Sequence, residues 1–358
     1  MSRARLRDLG ITVGRLPTGQ HNAITDVAGV AVGHSTLIYD EPRVARTGVT
    51  VIMPRGGSTH ADFVFAGYHS FNGCGEMTGL PWVEESGLLM SPIAITNTSQ
   101  VGLVRDAIVE YGATRFPASV YWLPVVGETY DGWLSDTYAF HITKADVFAA
   151  LDAAAPGPVV EGNVGGGTGM ICHDFKGGIG TASRLVRTPS GDYTVGALVQ
   201  ANYGERQALR VDGVPVGREI GPEVVPSPWK TPPTTGSIIA VLATDAPLLP
   251  GQCRALAQRA TVGLARVGGS GHTFSGDIFF AFATGNHYPR DAKALVDVKT
   301  LSLAQLSPLY DATAEAVEEA ILNALTAAEN MTGFCGHTAY ALPLDKLQEV
   351  MARYRPVY

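Results

Sequence analysis

Short runs of apolar and β-branched residues, separated by polar and glycine-rich stretches, dominate the first two thirds of the chain. Runs of this length and composition predict β-strands. The run at 238–243 has no polar interruption, which predicts a strand buried on both faces. The predicted strands cover residues 27–32, 49–53, 92–96, 120–126, 193–203, 237–244 and 277–284.

Helical spacing becomes frequent towards the end of the chain. Between residues 252 and 267 apolar side chains recur every three or four positions, which places them in one stripe along an amphipathic helix. The predicted helices cover residues 101–111, 144–154, 252–267, 311–327 and 344–354. Strands interspersed with helices predict sheets packed face to face with helices outside, an α/β layered sandwich.

The division into domains is open at this point. At 358 residues the chain is long enough to bury a large core in one domain or in two. Residues 211–235 are rich in proline and glycine and have no clear periodicity. They fit a linker between domains, and they fit equally well a long ordered loop that carries a functional segment.

Composition and charge narrow the classes of function. The chain is 46% hydrophobic and 16% charged, and its net charge is −7. A nucleic-acid partner requires a basic footprint, which is missing here. The apolar runs are too short to cross a bilayer, and no apolar segment follows the basic start, so neither a membrane partner nor a secretory signal is expected. We expect a cytoplasmic protein whose four widely spaced cysteines are free thiols.

The sequence just before the buried run is the strongest functional signal. A proline-rich loop ends in Gly236 and Ser237, which suits a chain that cleaves itself between these two residues, because glycine does not crowd the carbonyl under attack. Cleavage would give Ser237 a free amine, so that one residue carries a nucleophile and a general base. An unperturbed α-amine has a pKa of ~7.7–8.0, suitable for a base near neutral pH. The alternative is a loop that simply enters a core strand.

Three other polar clusters lie at predicted strand ends, where sites often gather. Ser275 and Asp277 alternate along a strand and could relay or orient protons near a nucleophile. Glu128 could hold a substrate ammonium, and the Tyr130 hydroxyl could donate to an oxyanion. Asn202 offers an amide donor for the same purpose. Each cluster taken alone also fits a turn or a strand terminator.

Two further features predict no cofactor. The glycine-rich stretch 162–169 lacks the Gly-Lys-Ser/Thr ending of a phosphate-binding loop and the spacing of a dinucleotide fingerprint, so a loop that lines a pocket is expected. The nine histidines show no metal-ligand spacing, so no metal is predicted.

Together the polar clusters resemble the self-processing L-aminopeptidase/D-esterase enzymes and the related β-peptidyl aminopeptidases. The resemblance implies a four-layer α-β-β-α sandwich, similar to N-terminal-nucleophile hydrolases but with different strand connectivity. It also implies one domain, 1–358, processed into chains 1–236 and 237–358 that stay together, and a homo-oligomer of four processed units. The matching segments run in the expected order over nearly the whole chain, at residues 22–34, 127–132, 200–204, 235–243, 274–282 and 328–333.

The resemblance also implies a role for each candidate residue. It assigns the nucleophile to Ser237, assistance to Ser275 and Asp277, the oxyanion donors to Asn202 and Tyr130, and the substrate amine to Glu128. One position departs from the pattern, because Asp277 stands where the β-peptide enzymes carry glutamate. Aspartate is one methylene shorter, so the preference for β-peptides stays open.

We therefore expect a self-activated serine aminopeptidase or amidase, with esterase activity, that acts on small peptides, amides or esters. Two alternatives stay open. A self-cleaving amino-acid acyltransferase would pass the acyl group to an amine acceptor, although such enzymes typically free a threonine. A non-catalytic binding protein would keep the fold without hydrolysis.

Overall fold

The computed structural model describes residues 3–56, 59–116, 123–229 and 235–354. The strands are β1 (Ala31–Tyr39), β2 (Ala45–Met53), β3 (Asp62–Ser70), β4 (Leu88–Leu89), β5 (Ile93–Asn97), β6 (Val125–Thr129), β7 (Ile171–Cys172), β8 (Phe175–Lys176), β9 (Gly178–Thr188), β10 (Gly191–Asn202), β11 (Thr235–Thr244), β12 (Phe274–Pro289), β13 (Met331–Thr332) and β14 (Thr338–Ala339). The helices are α1 (Leu80–Ser86), α2 (Val101–Arg115), α3 (Lys144–Asp152), α4 (Val216–Glu219), α5 (Pro250–Val267), α6 (Ser307–Ala327) and α7 (Leu344–Tyr354).

Two sheets form the centre of the molecule. The smaller one has the strand order β1-β2-β5-β6, and the larger one has the order β4-β3-β12-β11-β10-β9. In the larger sheet β11 and β12 are parallel neighbours, and each pairs antiparallel with its other neighbour. The two central strands of this sheet therefore come from the last third of the chain, and strands from the first two thirds flank them.

Apolar side chains fill three interfaces between layers. Between the sheets, Ile52 and Ile95 of the smaller sheet belong to one buried cluster with Ile239 and Phe280 of the larger sheet. On its other face the larger sheet packs against α5 and α6, and the smaller sheet packs against α2 and α3. The order of layers is helices, sheet, sheet, helices, so the expected α-β-β-α sandwich is confirmed.

The predicted helices are all present: α2, α5 and α6 are longer than predicted, and α3 ends two residues earlier. The strands predicted from 193, 237 and 277 correspond to β10, β11 and β12. The strand predicted at 27–32 is displaced, because a 3₁₀ turn occupies Ile24–Asp26 and β1 begins only at Ala31. Strands β3 and β9 are not predicted from the sequence at all.

The strand predicted at 120–126 is also shifted. Residues 120–122 lie outside the described residues, and β6 begins at Val125 and continues to Thr129. Glu128 is therefore part of a buried strand and not of the turn that follows it. Its side chain is held at a fixed place in the smaller sheet.

Residues 211–229 form an ordered segment packed on the core. Val211, Val216, Ile220 and Val225 are buried in the same cluster as α5 and α6. Of the two interpretations of the proline-rich stretch, the packed loop fits this part of it, and residues 230–234 lie outside the described ranges. None of the helices in the described part of the chain is long and apolar enough to cross a membrane.

Candidate active site

One cavity of about 540 Å³ collects the residues that the sequence analysis singles out. It lies where the ends of β10, β11 and β12 in the larger sheet meet the end of β6 in the smaller one. All seven predicted site residues line it, namely Glu128, Tyr130, Asn202, Gly236, Ser237, Ser275 and Asp277. Residues more than a hundred positions apart in the sequence are thus brought to one site.

Strand register places Ser237 at the centre of this group. In the antiparallel pair β10–β11, Ser237 is directly opposite Asn202. In the parallel pair β11–β12, Ser237 is opposite Gly276, so Ser275 and Asp277 flank its partner. The same two pairings, extended along the buried strands, fix the spacing of all four residues.

The Gly236-Ser237 bond lies within the cavity. The Ser237 hydroxyl donates a hydrogen bond of 2.6 Å to the Gly236 carbonyl oxygen, and the Gly276 amide donates to Ser237 Oγ at 3.2 Å. A Cβ atom at position 236 would lie 3.0 Å from the Tyr203 Cα atom. Glycine before the serine therefore avoids a tight contact with the neighbouring backbone and keeps the carbonyl accessible.

Asp277 is held by three hydrogen bonds. Ser275 Oγ donates to its Oδ1 at 2.6 Å, and Asn72 Nδ2 donates to its Oδ2 at 2.7 Å. The Asp277 amide in turn donates to Asn72 Oδ1 at 2.7 Å. Burial raises the pKa of Asp277, and the hydrogen bonds from Ser275 and Asn72 oppose that shift. Asn72 follows the unpredicted strand β3 and was not expected at the site from the sequence.

Asn202 is oriented from both ends of its amide. Its Oδ1 accepts a hydrogen bond of 2.8 Å from the Ile171 amide, and its Nδ2 donates to the Tyr130 carbonyl oxygen at 3.0 Å. A side-chain amide nitrogen carries two hydrogens, so one remains for an oxyanion. The Tyr130 ring is 49% exposed and its hydroxyl lies over Gly132. Asn202 thus contacts the main chain of Tyr130, and the phenol, also in the cavity lining, lies beside Gly132.

Glu128 also lines the cavity and is 3% exposed. Its Oε1 accepts a hydrogen bond of 3.0 Å from the Glu76 amide, and the Thr98 hydroxyl donates to its Oε2. Burial raises the pKa of Glu128, because the charged carboxylate loses water. A substrate ammonium would restore a favourable partner to that charge. Thr98, also missed from the sequence, follows β5, which runs parallel to β6.

Gln200 ties the two sheets together two residues before Asn202. It is fully buried, and its Nε2 donates to the Thr96 carbonyl oxygen at 2.9 Å and to Thr129 Oγ1 at 2.8 Å. The glycine-rich stretch packs here too, since a Cβ at Gly166 would lie 2.1 Å from Gln200 Oε1. Within that stretch only Gly169 lines the cavity, so the expected pocket-lining loop is mainly a close-packed spacer between the sheets.

A glycine-serine bond at the start of a central strand, in an α-β-β-α sandwich and beside amide and carboxylate partners, indicates a hydrolase of the N-terminal-nucleophile type. Comparison with known proteins gives the family. Residues 22–339 match the model of peptidase family S58, so the chain belongs to this family.

Individual relatives agree over almost the full length. The β-peptidyl aminopeptidase BapA of Sphingosinicella microcystinivorans is 45% identical, covering 98% of this chain and 92% of that protein. The structure of a Burkholderia sp. β-aminopeptidase is similar with a TM-score of 0.92 and 52% identity, covering 99% of this chain and 100% of that one.

A further solved structure shows the fold class. The L-aminopeptidase D-Ala-esterase/amidase of Ochrobactrum anthropi has a TM-score of 0.92 and 45% identity, with 98% of each chain covered. It is described as a new variant of the N-terminal-nucleophile hydrolase fold and as a prototype of serine aminopeptidases. This chain is therefore a hydrolase of the aminopeptidase class with this fold. No observation favours the acyltransferase or the non-catalytic alternative.

Proposed function

We propose that the chain cleaves itself between Gly236 and Ser237 and that Ser237 then acts as the N-terminal nucleophile. One observation carries the proposal: the Ser237 hydroxyl lies 2.6 Å from the carbonyl oxygen of the bond to be cut, inside the cavity that holds all the other candidate groups. The products are chains 1–236 and 237–358 of one folded domain.

Maturation follows from this geometry. Ser237 Oγ attacks the Gly236 carbonyl carbon, and the carbon–nitrogen bond breaks, so that the serine amine leaves with a proton and an ester joins the two residues. The free amide hydrogen of Asn202 stabilises the oxyanion formed on the way. Water then hydrolyses the ester, which leaves a carboxylate on Gly236 and a hydroxyl on Ser237.

Turnover reuses the same groups. Glu128 binds the free amine of the substrate, Ser237 Oγ attacks the acyl carbon, and the Ser237 amine accepts the proton and passes it to the leaving group. Asn202 and the Tyr130 hydroxyl stabilise the oxyanion. Ser275, which is oriented by its hydrogen bond to Asp277, holds the amine of Ser237 in position by a hydrogen bond. Water releases the acyl group, so the enzyme removes N-terminal residues from small peptides, amides or esters.

We also propose that β-aminoacyl groups are accepted. The BapA and Burkholderia relatives are both named for β-amino substrates. The side chain of Asp277 is hydrogen-bonded to Ser275 and Asn72, whereas the substrate amine is assigned to Glu128. We therefore expect the shorter side chain of Asp277 to affect the groups around the nucleophile and not the binding of the acyl backbone. Hydrolysis rates for paired alanine and β-alanine p-nitroanilides test this point.

The processed unit is proposed to form a closed tetramer in the cytoplasm. The four cysteines are free, which fits a reducing compartment. Tyr138 and Phe140 are 74% and 59% exposed and offer apolar surface for assembly. Light scattering during size exclusion checks the mass, and a monomeric mass would contradict the assembly.

Denaturing electrophoresis with N-terminal sequencing tests the central proposal. We expect two fragments, one of which begins at Ser237, and full p-nitroanilide hydrolysis in the native protein. The Ser237→Ala variant should stay in one piece and be inactive. An uncut chain with full activity would overturn the proposal.

A further inference from the structure

The cavity has a second end that the proposed chemistry does not use. Trp133, Trp229, Asp174 and Glu205 line it, and we call these four residues the tryptophan wall. The two indole rings meet edge to face with centroids 5.4 Å apart, and the Trp229 Nε1 group donates to Asp174 Oδ1 at 2.9 Å. Both rings pack against the apolar cluster that contains Ile171, whose amide donates to Asn202, so the wall lies on the Asn202 side of the nucleophile.

The rings of this wall are fixed in place. The outer face of Trp133 stacks on His337 at a centroid distance of 3.8 Å and a plane angle of 4°. The His337 ring is itself bonded to the Trp133 carbonyl oxygen at 2.9 Å. Trp133 is thus supported from behind, and Trp229 is supported by its bond to Asp174. The wall is a prearranged surface and needs no ordering when a ligand arrives.

The charge of the wall is negative. Asp174 is buried, Glu205 is exposed, and burial raises the pKa of Asp174. Arg206 stacks on Phe175 at 4.2 Å and donates to the main-chain oxygens of Val225 and Asp174, so it offsets part of the Asp174 charge but does not itself line the cavity. Among the described residues that line the cavity, four are carboxylates and none is lysine or arginine.

Three kinds of group could occupy this end. An acidic group would meet two carboxylates and be repelled. A purely apolar group would suit the rings but would strip water from Asp174 without replacing it. A cation satisfies both features, since indole faces attract cations and carboxylates pair with them.

We propose that the tryptophan wall is a second cation-binding subsite, which recognises a basic group of the substrate in addition to the reacting amine at Glu128. This inference rests on the proposed function, because it assigns a substrate class to the same cavity. The enzyme then prefers substrates with a lysine-like group, carried either by the released residue or by the leaving group.

Matched substrate pairs test the proposal. Lysyl and norleucyl p-nitroanilides differ in the charge of the released residue, and alanyl-lysine amide and alanyl-norleucine amide differ in the charge of the leaving group. We expect the basic member of one pair to have a kcat/KM about five- to tenfold higher, the range that cation–π contacts and partly exposed ion pairs supply. The pair that shows the preference identifies which part of the substrate reaches the wall.

Variants of the mature enzyme locate the effect. Glu205→Gln removes one charge at an exposed position. Trp229→Phe weakens the cation–π attraction at position 229, and Trp229→Leu removes it. The preference for the basic substrate should fall in the order Trp, Phe, Leu, while the norleucine rates change less than twofold. Asp192→Asn is the matched control, since Asp192 is an exposed carboxylate at the opposite end of β10 from Asn202. It should alter neither substrate.

Two results would overturn the subsite. Equal kcat/KM values for both members of both pairs would show that charge is not recognised. An equal loss for basic and neutral substrates in the variants would show that the wall only supports the fold. Failure of the proposed function would look different, because the norleucyl and alanyl substrates would then not be cleaved by the Ser237 site at all.

Discussion

Asp277 depends on Asn72 for its position as much as on its own place in β12. The Asn72 amide makes two hydrogen bonds of 2.7 Å to this residue, one donated to the Asp277 carboxylate and one accepted from the Asp277 main-chain N–H, so the other carboxylate oxygen is left for Ser275. A neutral amide can hold Asp277 in this way because it offers both a donor for the carboxylate and an acceptor for the main-chain N–H. Replacing Asn72 with aspartate removes the donor to the Asp277 carboxylate and adds a second negative charge beside it.

We predict that Asn72→Asp moves the acidic limb of kcat/KM to higher pH. A second carboxylate disfavours ionisation of Asp277 and adds to the rise in pKa that burial already causes. The measurement is a pH–rate profile of the mature enzyme. Asn72→Ser is the neutral control and should lower the rate without moving the limb. An Asn72→Asp profile that overlays the native one would refute a link between the two residues.

Glu128 leads to a separate prediction. Glu128→Gln should raise KM by roughly 10- to 100-fold with a smaller change in kcat, since a charge-assisted hydrogen bond contributes about 1.5–3 kcal/mol. Burial raises the pKa of Glu128, so in the native enzyme the carboxylate is lost, and KM rises, as the pH falls through that pKa. The glutamine variant should lack this rise. Glu85→Gln, at an exposed carboxylate of α1, is the control and should leave KM unchanged.

At the scale of elements, the site depends on close contact between the start of β12 and the loop after β3. The Cα atoms of Gly75 and Gly276 face each other, and a Cβ on Gly276 would lie 2.6 Å from Gly75 Cα and 2.8 Å from the Cys74 carbonyl oxygen. The same loop supplies Asn72 to Asp277 and the Glu76 amide to Glu128. Any residue larger than glycine at 276 must push this loop away from both carboxylates.

Gly276→Ala should therefore slow or abolish cleavage of the precursor. The fraction of cut chain on a denaturing gel over time measures this effect. Gly102→Ala in α2 is the matched control, because its added Cβ would meet no atom within 4 Å beyond the backbone of its own helix, and alanine favours helix by roughly 0.5–1 kcal/mol over glycine. That variant should be cut normally. Normal cutting of Gly276→Ala would show that the loop adapts.

The elements that escape sequence-based prediction are those whose burial depends on distant partners. β9 contains Arg184 among small residues, and no local pattern marks it as an interior strand. The structure buries Arg184 completely, since Glu315 and Glu319 of α6 pair with it. Apolar strands such as β11 are predicted well, because a continuous apolar run by itself indicates burial in the core.

The site shows the same division. Residues with a motif around them, such as Ser237 and Asp277, are found from the sequence, whereas Asn72 and Trp229 have no local signal. Asn72 is followed by glycine, which on its own predicts only a turn. Their roles arise from loops folded over the ends of the sheet, and such contacts follow from tertiary packing alone.

For the whole molecule, the proposed cut does not divide the core. The segment after residue 236 supplies β11 and β12, the two central strands of the larger sheet, and the segment before it supplies the strands on both sides. Separating the pieces would break both hydrogen-bonded edges and expose the apolar faces between the layers. We predict that the cut chains elute together in size exclusion and separate only in denaturant.

Arg184 joins the two segments in the interior. Its guanidinium lies 3.0 Å from Glu315 and 2.7 Å from Glu319, and all three side chains are almost fully buried. Arg184→Met should lower the free energy of unfolding by about 3–5 kcal/mol, because two carboxylates lose a buried partner. Chemical denaturation measures the change. Arg187→Met, on the same strand at a 92% exposed side chain, should change stability by less than about 1 kcal/mol.

The acidic lining of the cavity also affects the step between self-cleavage and the binding of the first substrate. Cutting at Gly236 creates a new chain end that bears a carboxylate, placed beside Asp277 and across from Glu128 in a space lined by no lysine or arginine among the described residues. Like charges repel, so the carboxylates Asp277 and Glu128 oppose retention of the severed end, against the attraction of the new Ser237 ammonium. We expect that the same acidic lining that binds a substrate amine also favours clearing the cavity after the cut.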